Sequence, residues 1–289
     1  MAQGTEQTNP SIETQAVTVT AGTTHEPTLY AEPLAHWGGL TLTNSLLTSW
    51  VAVVIIVAVA LVTRLRLATV PRGALQNVLE TVIEQALSLI DTITGDRPKT
   101  LKFFPIAFAL FLFILINNWL GLLPGIGSIG FLEHEAGREV FIPLLRGGTA
   151  DLNTTIALAL IAVVGSHFAG IWLTGFWHHF NKFINVKAFI EIPGKIRRDP
   201  AIVLVNPIKA FVGVIEIIGE AAKVASLSFR LFGNIFAGEV LLASMAALAA
   251  FFLPIPFMFL EIIVGLIQAL IFSVLTVVYL TIATSRVEH

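Results

Sequence analysis

The sequence predicts an all-α polytopic membrane protein with five membrane-crossing helices, one amphipathic interfacial helix and a long, tilted C-terminal helical hairpin. Three observations carry this reading. Of the 289 residues 55% are apolar and only 12% are charged. Several charge-free runs approach the ~20 residues that a helix needs to cross a ~30 Å hydrocarbon core. The basic residues also gather on alternate connections, the pattern of a chain threaded through a bilayer.

The same composition excludes several classes of function. A net charge of −2 without a long basic block argues against nucleic acid as a partner. No GxxxxGK[ST] loop is present to bind ATP. The absence of cysteine rules out thiolate metal sites and cysteine nucleophiles. His178 and His179 are the one adjacent histidine pair in the sequence. Neighbours on a helix point about 100° apart, so a polar membrane edge suits them better than a shared metal ion. No cofactor and no metal centre are expected, and the chain is read as non-catalytic.

Residues 1–40 are rich in Thr, Gln, Glu, Pro and Gly and contain no Lys or Arg. They read as a polar, disordered tail, which leaves 41–289 as the membrane-embedded domain. The first span, LLTSWVAVVIIVAVALVT, stops at Arg64 and Arg66, with Trp50 in an interfacial aromatic belt. In PRGALQNVLETVIEQALSLIDTIT, Leu75, Val78, Leu79, Val82, Ile83, Ala86 and Ile90 recur at helical spacing against Glu80, Glu84, Gln85 and Asp91. That is an amphipathic helix lying on the membrane or on protein, with Pro71 in its first turn.

The second span runs from about Phe103 to Leu123 and ends in NNWLGLLPG. A loop carrying Glu133, Glu135, Arg138 and Arg146 leads to the third span, within DLNTTIALALIAVVGSHFAGIWLTGFW. After a basic segment from His178 to Pro200, helix-compatible sequence continues from about Ala201 to Phe252. At 1.5 Å per residue it would be about 75 Å long, so it must tilt, bend or break within a ~30 Å core. The last span, about Pro256 to Thr284, holds a single charge, Glu261.

Orientation follows from the basic residues. An outside N-terminus puts six of them on the first inner connection (Arg64, Arg66, Arg72, Arg97, Lys99, Lys102) and six on the second (Lys182, Lys187, Lys195, Arg197, Arg198, Lys209). Only Arg138 and Arg146 then lie on an outer connection. The positive-inside rule therefore predicts an external N-terminus and a cytoplasmic C-terminus.

A charge at the bilayer centre costs about 2.5–3.5 kcal/mol on insertion scales, which makes intramembrane charges candidates for function. The long helix carries Lys209, Glu216, Glu220, Lys223, Arg230 and Glu239. Lys209 and Lys223 can snorkel inward with the glutamates neutralising them, and that structural reading is preferred for Lys209 and Glu220. Arg230, in SLSFRLFGNIFAGEVLL, lies about 20 residues from either end of its segment, beyond the reach of a snorkelling arm, and must meet a carboxylate or water.

If the last two helices form an antiparallel hairpin turning near residue 250, Arg230 lies level with Gln268, and Glu239 with Glu261. Nine residues separate Arg230 from Glu239, about 900° of an ideal helix, so these two face opposite ways. Asn234, at i+4, shares the arginine's face. Gly233 and Gly238 admit two readings, as tolerated transmembrane glycines or as points of close helix approach.

SLSFRLFGNIFAGEVLL resembles the signature helix of subunit a of the rotary F-type ATP synthase, and LIQALIFSVLTVVYLTIA resembles that family's final helix. LLPG, TADLNTT and NPIKAFVGVIEIIGE match the family in the expected order, over roughly residues 36–289. The resemblance implies a fixed stator beside a rotating c-ring, each ring subunit bearing a membrane-embedded carboxylate. A b-type peripheral stalk and membrane lipids are the other implied partners. The implied cargo is H⁺, with Na⁺ an alternative, because the coordinating carboxylate belongs to the ring.

By this resemblance Arg230 faces the ring, attracts each deprotonated carboxylate and blocks direct leakage between two offset half-channels. Asn234 and Gln268 are assigned to its polar surroundings, Glu239 and Glu261 to the outer half-channel, and Glu216 to the inner one. Asn118, Asp151 and Asn153 fall where outer-channel polar residues are expected, although Asp151 and Asn153 suit helix capping equally well. Glu239 and Glu261 are expected to share a proton, as a relay or as a static carboxyl–carboxylate bond.

Two positions depart from the family pattern: Glu261 stands where many relatives carry histidine, and Gly121 where some carry aspartate. The implied function is coupling of proton flow to rotation in a bacterial plasma membrane, with ATP formed elsewhere in the complex. A secondary transporter is a rival class, but no internal repeat is visible. A membrane scaffold is another, and it leaves the matched polar levels unexplained.

Overall fold

The computed structural model describes residues 30–37, 40–66, 73–135, 138–177, 202–249 and 252–285. Most of the expected tail, the basic segment with His178 and His179, and Arg286 lie outside the described residues. Among the described residues six α-helices follow in order: α1 (Asn44–Arg66), α2 (Ala74–Thr94), α3 (Arg97–Leu122), α4 (Leu152–Thr174), α5 (Ile202–Leu248) and α6 (Pro254–Thr284). Five of them, all but α2, are long and apolar enough to cross a membrane, α5 over Phe211–Leu248. In lipid a spanning segment must satisfy its backbone N–H and C=O groups internally, and an apolar run of this length does so as a helix.

α5 is continuous over 47 residues, about 70 Å at 1.5 Å per residue, and packs antiparallel against α6. The long C-terminal hairpin expected from the sequence is therefore present, and the break is not. α2 has the expected amphipathic pattern. Ile90 is buried with Ala107 of α3 and Val277 of α6, while Val78 and Val82 stay exposed. At the α2–α3 corner Arg97 pairs with Asp91. The Thr100 hydroxyl and the Arg97 guanidinium hold the Asp91 carboxyl below the usual carboxylate range, against the opposing effect of desolvation.

Two β-hairpins were not anticipated. β1 (Pro33–Trp37) pairs with β2 (Leu40–Thr43), and β3 (Gly130–Glu135) pairs with β4 (Arg138–Pro143), both antiparallel. β1 falls inside the segment expected to be a disordered tail. Asn44 is fully buried, and its Oδ1 accepts from the N–H groups of Ser45 (2.9 Å) and Glu32 (3.3 Å). Its Nδ2 donates to the Glu32 carboxylate and to the Pro143 carbonyl, both at 3.3 Å. One side chain thus ties the chain before β1, the start of α1 and the end of β4 together.

The core lies among α3, α4, α5 and α6, where Ile114, Leu158, Ala162, Leu227, Leu231 and Phe272 interlock. α1 joins at the side through a small polar face, Ser45, Thr48, Ser49 and Ala52, and leaves Val54, Val57 and Leu61 exposed. Small residues let helices approach where no hydrophobic force drives them together, and interhelical hydrogen bonds add about 0.6 kcal/mol each on average. Ser273 Oγ donates to the Ala107 carbonyl (2.7 Å), Trp119 Nε1 to that of Ile262 (3.2 Å), and the hydroxyls of Thr155 and Ser228 meet at 3.1 Å. The chain order places both hairpins and the α5–α6 turn at one end of the helices, called here the sheet end.

Candidate ion-conducting site

The α5–α6 hairpin sets the register of the site. Asn234 Nδ2 donates to Gln268 Oε1 at 2.9 Å. One turn nearer the sheet end, Gly238 faces the buried Glu261 so closely that a Cβ there would sit 2.3 Å from the carboxyl carbon. That decides between the two readings of Gly238: it is a point of close approach. Gly233 has open space where a Cβ would be, and is merely tolerated.

The arginine behaves differently from its neighbours. Leu227 and Leu231 turn into the core, and Arg230 beside Leu231 points outward and is exposed. Its one hydrogen bond runs to Ser226 Oγ, 3.2 Å away on the preceding turn. Among the described residues no carboxylate pairs with it. Gln268 is a turn away from the level expected for it and bonds instead to Asn234, on the face that Arg230 and Asn234 share.

Glu239 has a partner that the sequence did not reveal. The guanidinium of Arg146 grips its carboxylate from Nε (3.2 Å to each oxygen) and from Nη2 (2.7 Å). Arg146 is held in turn by its own N–H on Thr48 Oγ1 (3.1 Å) and by Nη1 on the Tyr30 carbonyl (3.0 Å). No hydrogen bond joins Glu239 to Glu261, so the expected carboxyl pair is replaced by an arginine–carboxylate pair. The reason is azimuth: one residue past Gly238, Glu239 is rotated about 100° away from the face that meets Glu261. The one available sign was an arginine in the outer loop, followed by Gly147 and Gly148.

Around this pair lies a buried polar layer. Asn118, 1% exposed, donates from Nδ2 to the Gly265 carbonyl (3.1 Å) and accepts from Thr149 Oγ1 (2.5 Å). Asp151 is the N-cap of α4: its Oδ1 accepts from the Asn153 N–H (3.2 Å) and its Oδ2 from Ser45 Oγ (3.3 Å) and Thr154 Oγ1 (3.2 Å). The capping alternative therefore describes Asp151, and Asn153 itself is exposed. A Cβ on Gly121 would approach the Gly147 Cα to 2.9 Å, so an aspartate at 121 would displace the loop that carries Arg146.

Glu216 lies apart from all of these. It borders a cavity of about 300 Å³ towards the other end of the helices, together with His167, Glu220, Lys223 and Tyr279. Glu220 neutralises Lys223 at 2.6 Å, as the structural reading of these residues anticipated; the Lys209 side chain lies outside the described residues. Between the cavity and the sheet-end layer stand Leu227, Leu231 and Phe272, each at most 1% exposed. The predicted residues thus divide into two polar regions with an apolar level between them, and Arg230 faces outward beside that level.

The ATP synthase A chain family model matches residues 46–281. The chain is similar to ATP synthase subunit a of Syntrophobacter fumaroxidans, with 34% identity over 259 residues, covering 89% of this chain and 90% of the relative. It is also similar to ATP synthase subunit a of Geobacter sulfurreducens (32% over 232 residues, covering 80% and 83%) and of Mycobacterium marinum (32% over 259 residues, covering 88% and 92%). A family match across all five candidate spans, with relatives aligned over nearly their whole length, leads to one conclusion: this chain belongs to the ATP synthase A chain family.

Proposed function

We propose that this chain is the proton-translocating stator of the membrane sector of an ATP synthase, performing no covalent chemistry of its own. The sheet-end polar layer with Glu239 and Glu261 serves as the outer half-channel, and the cavity bordered by Glu216 as the inner one. Arg230 faces a ring of c subunits and receives each ring carboxylate between the two. The observation that carries this reading is the outward, carboxylate-free guanidinium of Arg230 beside the apolar level that separates the polar regions. A fixed positive charge there attracts a deprotonated carboxylate and repels a proton moving straight through. Asn234 and Gln268 hold the hairpin closed at that level. A peripheral stalk completes the assembly, and H⁺ is the cargo.

The test is ATP-driven acidification of proteoliposomes containing the complex purified through this chain. A Glu261→Gln variant, which leaves the Arg146–Glu239 pair intact, should assemble but pump at least about tenfold more slowly, as expected when a proton-transfer group is removed. An unchanged rate and unchanged dependence on outer pH would sink the outer-channel assignment.

The proposal places the chain in a bacterial plasma membrane with its N-terminus outside. The tail precedes a membrane-embedded domain from about residue 41, to which the Pro33–Trp37 strand is an outer extension. Single cysteines at Thr20 and Ser285 in intact cells should react with an impermeant thiol reagent at the former position only. Labelling at 285 alone would invert the topology.

A further inference from the structure

The cavity contains more than Glu216. His167 of α4, Glu216, Glu220 and Lys223 of α5 and Tyr279 of α6 are the titratable groups that line it. Glu220 is shared, with Oε2 3.2 Å from His167 Nε2 and Oε1 2.6 Å from Lys223 Nζ. The ammonium of Lys223 also lies 5.2 Å from the centre of the Tyr279 ring. The side chains of His167, Glu220 and Lys223 retain 24%, 19% and 32% of their exposure, enough to exchange protons with solvent entering the cavity.

On the ideal helix Glu216, Glu220, Lys223, Arg230 and Asn234 fall within about 80° of one another, so the cluster lies on the same stripe of α5 as the arginine. That stripe is interrupted at Leu227, which is buried in the core. The cluster therefore ends where the apolar level begins.

We propose that His167 is a proton-carrying residue of this cavity, held by a hydrogen bond to the Glu220 carboxylate that Lys223 fixes in place. The proposal rests on the proton-conducting reading above. An imidazole ordinarily changes charge near neutral pH, which none of the other lining groups does at its unperturbed value. Glu220 is a poor carrier because its carboxylate is already committed to Lys223.

The step is a simple exchange. A lone pair on the imidazole ring takes up a proton from solvent in the cavity, whose O–H bond breaks, giving an imidazolium hydrogen-bonded to Glu220. The ring then returns a proton to the Glu216 carboxylate or to solvent in the cavity. Only N–H and O–H bonds form and break. The competing role is structural, a hydrogen bond that merely ties α4 to α5.

The experiment uses inverted membrane vesicles containing the whole complex, so that the bath titrates this end of the protein, and follows ATP-driven pumping as bath pH is varied. The wild-type profile should contain a transition that depends on His167. His167→Gln keeps an N–H for Glu220 but cannot titrate; it should lose that transition and pump at about a tenth of the wild-type rate.

Normal pumping with an unchanged profile in His167→Gln would overturn the proposal. So would a lowered rate whose pH profile keeps its shape, which is the mark of a structural bond. A wild-type complex that hydrolyses ATP without moving protons would instead refute the underlying functional reading, and is distinguishable because it does not depend on His167.

Discussion

Replacing Arg230 with alanine is expected to abolish ATP-driven proton pumping and ion-driven ATP synthesis while leaving the chain inserted and assembled. The side chain is exposed, its one hydrogen bond goes to Ser226, and no apolar core surface is lost with it. Stability should therefore change little, and the whole effect should fall on function. Arg230→Lys should be nearly as damaging. A guanidinium stays protonated at any working pH and presents a planar fork to a carboxylate, whereas an ammonium in a desolvated contact can lose its proton. Pumping by inverted vesicles matched for complex content provides the measurement. A normal rate from assembled Arg230→Ala complex would remove the arginine from the mechanism.

The second large effect is expected at Arg146, and on stability first. Its side chain is 3% exposed and that of its partner Glu239 is 27% exposed. Breaking a buried ion pair by removing one partner costs about 3–5 kcal/mol; the partial exposure of Glu239 puts Arg146→Met towards the lower end. The loss also removes the bond from Nη1 to the Tyr30 carbonyl and strips Glu239 of its counter-charge. In the Arg146→Met, Glu239→Gln double variant no uncompensated carboxylate remains, so part of the stability should return even though conduction does not. Thermal denaturation of the purified complexes, read as a double-mutant cycle, measures the coupling. Equal losses in the single and double variants would show that Arg146 stabilises by some other contact.

These two arginines illustrate what was legible. Arg230 could be singled out from sequence because its position along an apolar run is a one-dimensional property, and depth in a membrane follows from counting residues. The hairpin levels were legible for the same reason. Counting towards a turn near residue 250 set Gln268 level with Arg230 and Glu261 level with Glu239; the contacts made are to Asn234, one turn on, and to Gly238, one residue away. Arg146 could not be found that way. It lies 93 residues from Glu239, on a loop whose path is determined by the β3–β4 hairpin and by Thr48.

The sequence by itself determined the number of spans, their order and the position of each charge along a span, because a bilayer requires long apolar runs to be helical and helical rise is constant. Azimuth was decided by the tertiary structure. Whether Glu239 turns to Glu261 or to Arg146, whether Asp151 lines a path or caps α4, and whether His167 meets Glu220 all depend on which helix faces pack together. That choice is made by small steric details spread over the chain, such as the bare backbone of Gly238 and Gly121 and the short polar face of α1. The strand Pro33–Trp37 was illegible for a related reason: a five-residue segment has no long periodic pattern of its own, and it is ordered by pairing with β2 and by the bonds of Asn44 and Arg146 to Glu32 and Tyr30 just before it.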